Sequence, residues 1–104
     1  MTLQTQMVLQ ALLREPAHES WGRKLAEETG LLPGTTQPIL MRLEAEGWLT
    51  SRRESEEVAH AAGRRPRRYF ALTGLGATKA SEALAGARRP KRNAIGGLAP
   101  DGGV

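Results

Sequence analysis

Apolar residues recur at helical spacing three times before residue 47 and alternate with polar ones twice between residues 48 and 72, a change of period that divides the chain. From residue 2 to 14, Leu3, Met7, Gln10 and Arg14 fall on one helical line with Val8, Leu9, Leu12 and Leu13 beside it, a wide apolar face that Glu15-Pro16-Ala17 brings to an end. A second helix is expected from a cap at Glu19 or Ser20 to Thr29, with Trp21, Leu25 and Ala26 inward and Arg23, Lys24, Glu27 and Glu28 outward. Gly30 supplies its left-handed cap. The third helix begins between Leu32 and Thr35 and ends where Gly47-Trp48-Leu49 turns an apolar pair back toward the core. Thr36, Ile39, Leu40 and Leu43 make its apolar stripe; Thr35, Gln37, Met41 and Arg42 lie opposite.

Trp48 to Arg53 and Arg67 to Leu72 read as two strands, with Phe70 and Leu72 pointing one way and Tyr69 the other. Between them a Ser, Glu, Ala and Gly segment ends in Gly63-Arg64-Arg65-Pro66; it is too polar for a core and reads as a flexible hairpin tip. Thr73 caps a last helix through Leu84 or Ala85, which Gly74 and Gly76 weaken. Residues 1–85 thus form one domain, and residues 86–104, basic and Gly-rich, are expected to be a disordered tail. The fold class is mostly α with a small β-hairpin: a winged helix-turn-helix of three helices, a strand, a wing, a second strand and a fourth helix. A plain three-helix bundle is the alternative reading of the first three helices alone.

Charge sharpens this picture. Residues 1–47 carry four Lys or Arg against six Glu, whereas residues 48–72 carry six Arg against three Glu and residues 73–104 five Lys or Arg against two acids. The net charge of +4 is therefore gathered in the second half, the footprint of a nucleic-acid partner. Pro33 and Pro38 lack N–H groups and confine the third helix to a start at which unpaired N–H groups, Thr hydroxyls and the positive helix end favour an anion such as a backbone phosphate. Thr35, Thr36 and Gln37 are placed to hydrogen-bond phosphates or base edges, Gln being suited to adenine N6 and N7. Arg42, two turns in, fits a phosphate clamp. Arg53, Arg64, Arg65 and Arg67 are the basic residues of the wing, and Arg88 to Arg92 would form a second arm.

Other chemistry is poorly supplied. With no Cys, disulfides and thiolate zinc sites are excluded, and a reducing cytoplasm is the expected location. His18 and His60 lack the neighbours of a metal site. Neither a catalytic Ser/His/Asp set nor a phosphate-cradling loop is recognisable, so no enzyme activity and no cofactor is expected. A basic leader and a membrane-length apolar run are not seen either, Gln10 interrupting Met7 to Leu13.

Three separated pieces carry a family resemblance: Pro16-Ala17-His18; Thr29-Gly30-Leu31 through Pro33-Gly34-Thr35, Pro38-Ile39-Leu40 and Arg42-Leu43-Glu44-Ala45-Glu46-Gly47-Trp48; and Arg65-Pro66-Arg67-Arg68-Tyr69-Phe70 with Leu72-Thr73. In this order the chain resembles the PadR-like winged-helix transcriptional regulators over about residues 3–84. The resemblance implies a homodimeric repressor that binds double-stranded DNA at a palindromic operator, its third helix in the major groove and its Arg-rich wing on the adjacent backbone or minor groove. Gln37 stands where the family usually has Tyr, and Leu32 replaces a small polar residue, which moves the expected cap to Thr35. The family's long C-terminal dimerisation region has only one short helix and a tail as its counterpart, so a small-molecule effector has no support here. Trp21 and Trp48 are core anchors by spacing, a drug pocket at a dimer interface being their lesser reading. A protein–protein interaction module and an architectural or recombination-associated DNA binder are the alternatives to a repressor.

Overall fold

The structure, a computed structural model, describes residues 1–88 of the 104. Its elements follow the order α1 (Leu3–Arg14), β1 (Ser20–Trp21), α2 (Gly22–Thr29), α3 (Pro33–Ala45), β2 (Leu49–Arg53), α4 (Glu56–Ala61), β3 (Arg68–Leu72) and α5 (Gly74–Arg88). The winged helix-turn-helix expected from the sequence is present, with two elements the periodicity did not announce, β1 and α4. The last helix, expected to end at Leu84 or Ala85, continues to Arg88; the rest of the expected tail over residues 86–104, and with it the basic run, lies outside the described residues.

Each early helix is made by its ends as much as by its stripe. Thr2 caps α1 by accepting a hydrogen bond from the Thr5 N–H at 3.1 Å, and Val8, Leu9 and Leu12 turn inward. Gly30, at φ 78°, closes α2 with its N–H donating to Ala26 O at 2.8 Å. Thr29 braces the following turn: its hydroxyl donates to Leu25 O at 2.7 Å and accepts from the Leu31 N–H at 3.2 Å. The expected stripe of α3 is confirmed, Thr36, Ile39, Leu40 and Leu43 all being buried. Of these, Ile39, Leu40 and Leu43 meet Val8, Leu9 and Leu12 of α1, Leu25 of α2, Leu49 and Phe70 of the sheet and Ala80 and Leu84 of α5 in one core.

Two expected caps are corrected. Neither Glu19 nor Ser20 caps α2; Trp21 is the cap residue, without a side-chain bond, and Ser20–Trp21 instead pairs antiparallel with β3, Ser20 opposite Phe70 and Trp21 opposite Tyr69. The sheet order is therefore β1-β3-β2, and β1 covers the edge of β3 that a two-stranded hairpin would leave open. Nor does the α3 cap move to Thr35. Pro33 occupies the first turn behind Leu32, whose carbonyl accepts from both Thr35 and Thr36 N–H groups at 2.9 and 3.0 Å.

A junction between α3 and α5 fixes α3 to the sheet. At the end of α3 Gly47, at φ 83°, lets the Trp48 N–H donate to Leu43 O at 3.0 Å. Thr73 then ties both ends together: its N–H donates to Trp48 O at 3.0 Å, its hydroxyl donates to Gly47 O at 2.8 Å, and the same oxygen accepts the Gly76 N–H at 2.8 Å as the cap of α5. Gly76, which looked only like a weak helix former, is required by this approach. A Cβ there would stand 2.8 Å from Trp48 Cα and closer still to its carbonyl group. Gly76→Ala is thus expected to destabilise the chain by about 1–3 kcal/mol through overpacking. Gly74→Ala, which meets open space, should stabilise it by about 0.4–1 kcal/mol. The two denaturant midpoints measured side by side check the contrast.

Candidate nucleic-acid interface

The outward side of α3 is small at its crest and polar at its flanks. At about 100° per residue, Gly34, Pro38, Met41 and Ala45 lie farthest from the buried stripe. Gln37 and Arg42 are both exposed but sit about 140° apart on opposite flanks. Gln37 leans toward α2, its Oε1 lying where a Cβ on Gly22 would stand only 3.2 Å away. Arg42 instead borders a hollow of about 230 Å³ that it shares with Met1, Thr2, Thr5, Leu43, Glu46 and Trp48 at the start of α1. Met41, 47% exposed, and Leu32, 75% exposed, add apolar groups to the same helix.

Thr36 is removed from the contact set. It is fully buried, and its hydroxyl donates to Leu32 O at 3.2 Å, so no phosphate or base can reach it. Thr35 is half-buried on the Arg42 flank.

The wing differs more sharply from expectation. Its connection is not a flexible polar tip: Ser55 caps α4 by accepting the Val58 N–H at 3.2 Å, Ala59 is fully buried, and Gly63, at φ 74°, ends the turn. Glu56 and Glu57 in the first turn and His60 in the last suit the helix dipole. The signal was in the sequence as Ser55 followed by two acids and a closing Gly63, but its length of six residues gives no periodicity to find.

At the root of this wing Glu54 is only 6% exposed and is surrounded by donors. Arg64 pairs with both of its oxygens, Nη2 lying 2.9 Å from Oε2, while the Arg67 N–H donates at 3.2 Å and the Tyr69 hydroxyl at 3.0 Å. The Arg64 guanidinium, helped by those two donors, holds the Glu54 carboxyl at about 2, against an ordinary 4.5. Arg64 is therefore a structural cation, in contrast to the mobile tip residue expected from the sequence. Arg52 is similarly engaged, 2.6 and 2.7 Å from Glu19 and over the Tyr69 ring.

Arg53 and Arg65 are exposed and Arg67 is half-buried; among the described residues none of the three forms an ion pair. The Arg67 guanidinium sits 4.1 Å from the Trp21 ring centre, and Trp21 meets Tyr69 edge-on at 5.6 Å. Trp21 and Arg23, placed by β1 and the start of α2, join Arg64, Arg65 and Arg67 around one groove. The helical reading had assigned Arg23 only to an outer face, because nothing local reveals that β1 carries it to the wing. Gln37 and the wing are thus linked through Gly22, while Thr35 and Arg42 stand apart.

No family model matches the chain, and no curated protein does. Solved structures do resemble it. A PadR family transcriptional regulator from Eggerthella lenta matches with a TM-score of 0.61 at 22% identity, over 82% of this chain and 75% of that one. A MarR family regulator from Silicibacter pomeroyi matches with a TM-score of 0.60 at 20% identity, over 85% of this chain but only 55% of its own. BpsR of Bordetella bronchiseptica, whose DNA binding is regulated by 6-hydroxynicotinic acid, matches with a TM-score of 0.68 at 21% identity, over 96% and 69%. The fold is the winged helix of these regulators. No helix among the described residues is long and apolar enough to cross a membrane.

The Glu54 cluster has a pH signature. Its carboxyl titrates near 4.5 when unfolded and near 2 when folded, so its stabilising effect is complete above about pH 4.5 and is lost as pH falls toward 2. Glu54→Gln is expected to lower Tm at pH 7 and to flatten the decline of Tm between pH 4.5 and 2, as calorimetry across that range would measure.

Proposed function

We propose that the chain is a PadR-like, sequence-specific DNA-binding transcriptional regulator, a repressor rather than an enzyme. It binds a palindromic operator as a homodimer, with α3 in the major groove and the wing arginines Arg53, Arg65 and Arg67 on the neighbouring backbone or minor groove. The observation that supports this most directly is the continuity of a small-crested α3, through Gln37 and Gly22, with the cations at Trp21. Gly34, Pro38 and Ala45 let the helix axis approach base edges, Gln37 reads a base, and Thr35 and Arg42 hold the opposite strand's phosphates. Residues Arg53, Arg65 and Arg67 supply the wing contacts. The fold shared with the PadR and MarR family regulators agrees with this reading. Leu3 and Leu75, 68% and 52% exposed at the starts of α1 and α5, are apolar surface that a second copy would cover.

Selection of genomic fragments by the purified protein tests the class, and footprinting the retained DNA tests the symmetry. Half-sites should lie about 34 Å, or a multiple of it, apart. On such an operator Gln37→Ala is expected to reduce the preference for operator over scrambled duplex, whereas Arg42→Ala weakens both alike. Equal losses for Gln37→Ala would make it a positioning contact only.

Salt dependence measures the wing separately. Replacing Arg65 and Arg67 by Ala in both subunits should flatten the log–log dependence of affinity on salt by up to about four units, at about 0.9 unit per lost phosphate contact. An unchanged slope would place the wing off the DNA and favour the protein-interaction reading.

A further inference from the structure

The groove at the β1–α2 corner holds more positive charge than the fold itself needs. Trp21, Arg23, Arg64, Arg65 and Arg67 line about 370 Å³ of it, with no carboxylate in the lining. Arg64 is neutralised by Glu54, but Arg23, Arg65 and Arg67 form no ion pair among the described residues. Three like charges around one hollow repel one another, and an anion placed between them reverses the sign of that interaction. Arg67 is held with its guanidinium against the Trp21 ring, an arrangement that orders its fork of N–H donors before any ligand arrives. Neighbouring cations are paired, Lys24 with Glu28 at 3.5 Å and Arg52 with Glu19 at 2.6 Å, and so cannot supply the charge of this groove.

We propose that this groove is a binding site for one phosphate-class oxyanion, held by Arg23, Arg65 and Arg67 over Trp21. Two sources present that chemistry: a DNA backbone phosphodiester as the wing docks, which rests on the function proposed above, and a free phosphate, which does not. Both need the same guanidinium groups, so occupation by a free anion competes with docking of the wing.

The test is NMR of the full-length chain, following the Trp21 indole N–H and the arginine side-chain N–H signals during titration with inorganic phosphate against chloride at equal ionic strength. Saturable shifts at Trp21, Arg23, Arg65 and Arg67 with phosphate alone are expected. Arg65→Gln and Arg67→Gln should each weaken the affinity by about tenfold, as loss of one charge-assisted partner implies. Lys79→Gln, which removes the same charge from α5, should leave it unchanged. Shifts that do not saturate, or that chloride reproduces, overturn the site. A genomic DNA fragment retained by the protein is then added to the phosphate-loaded sample. Displacement of phosphate supports the shared site, and DNA bound with phosphate retained overturns the competition. Saturable phosphate binding by a protein that retains no DNA supports the anion site while overturning the proposed function.

Discussion

A carboxylate with almost no exposure to water must be surrounded by donors or be expelled, and Glu54 sits in such a place at the root of the wing. Its two oxygens accept from the Arg64 side chain, the Arg67 backbone and the Tyr69 hydroxyl, all on the returning side of the excursion between β2 and β3, so that Glu54 on the outgoing side ties the two arms together. The demand of one buried charge therefore fixes where Arg64 lies and where β3 begins. It also determines the path of the chain on leaving α4. This in turn decides which arginines are left over. Because Glu54 engages Arg64 and Glu19 engages Arg52, Arg23, Arg65 and Arg67 beside Trp21, and Arg53, are left without an ion pair among the described residues.

The second constraint is steric. The α3–β2 turn and the β3–α5 turn meet where Thr73 bonds to Gly47 and Trp48, and Gly76 lies against the Trp48 carbonyl. A side chain on residue 76 would push α5 off this turn. The helix that presents Gln37 and the sheet that carries the wing are therefore held by backbone hydrogen bonds at one end and by the core residues Leu43, Leu49 and Phe70 along their length.

What was legible in the sequence was what repeats. The stripe of α3, the left-handed Gly30 and the two long strands each follow from a period or a residue with a single backbone preference, and all are present; of the face expected on α1, Val8, Leu9 and Leu12 are buried, whereas Leu3, Gln10 and Arg14 are exposed. What failed was either short or non-local. Two residues of β1 cannot display alternation, and their pairing with Phe70 and Tyr69 spans 50 and 48 positions. The six residues of α4 are less than two turns, and their buried Ala59 looks like any other alanine of a polar stretch. Thr36 was on the apolar stripe from the start; its hydroxyl suggested a contact, but in a buried helical turn that group bonds the carbonyl four residues back. Arg64 could not be separated from Arg65 and Arg67 by type or spacing. Only the fold shows that it alone faces Glu54 with both guanidinium arms.

The smallest element has the largest consequence for the interface. Without β1, the start of α2 would be attached to the wing through the core alone, and Trp21 would have no fixed relation to Arg67. With Trp21 registered against Tyr69 in the sheet, its indole bears on Arg67 from one side, while the next residues turn into α2 and place Gly22 under Gln37. Gln37 and the arginines around Trp21 are then joined by a path of three consecutive residues, Trp21, Gly22 and Arg23. The register of β1 therefore sets both the place of Arg67 and the place of Gln37 on that flank, and a change in one two-residue strand would displace both.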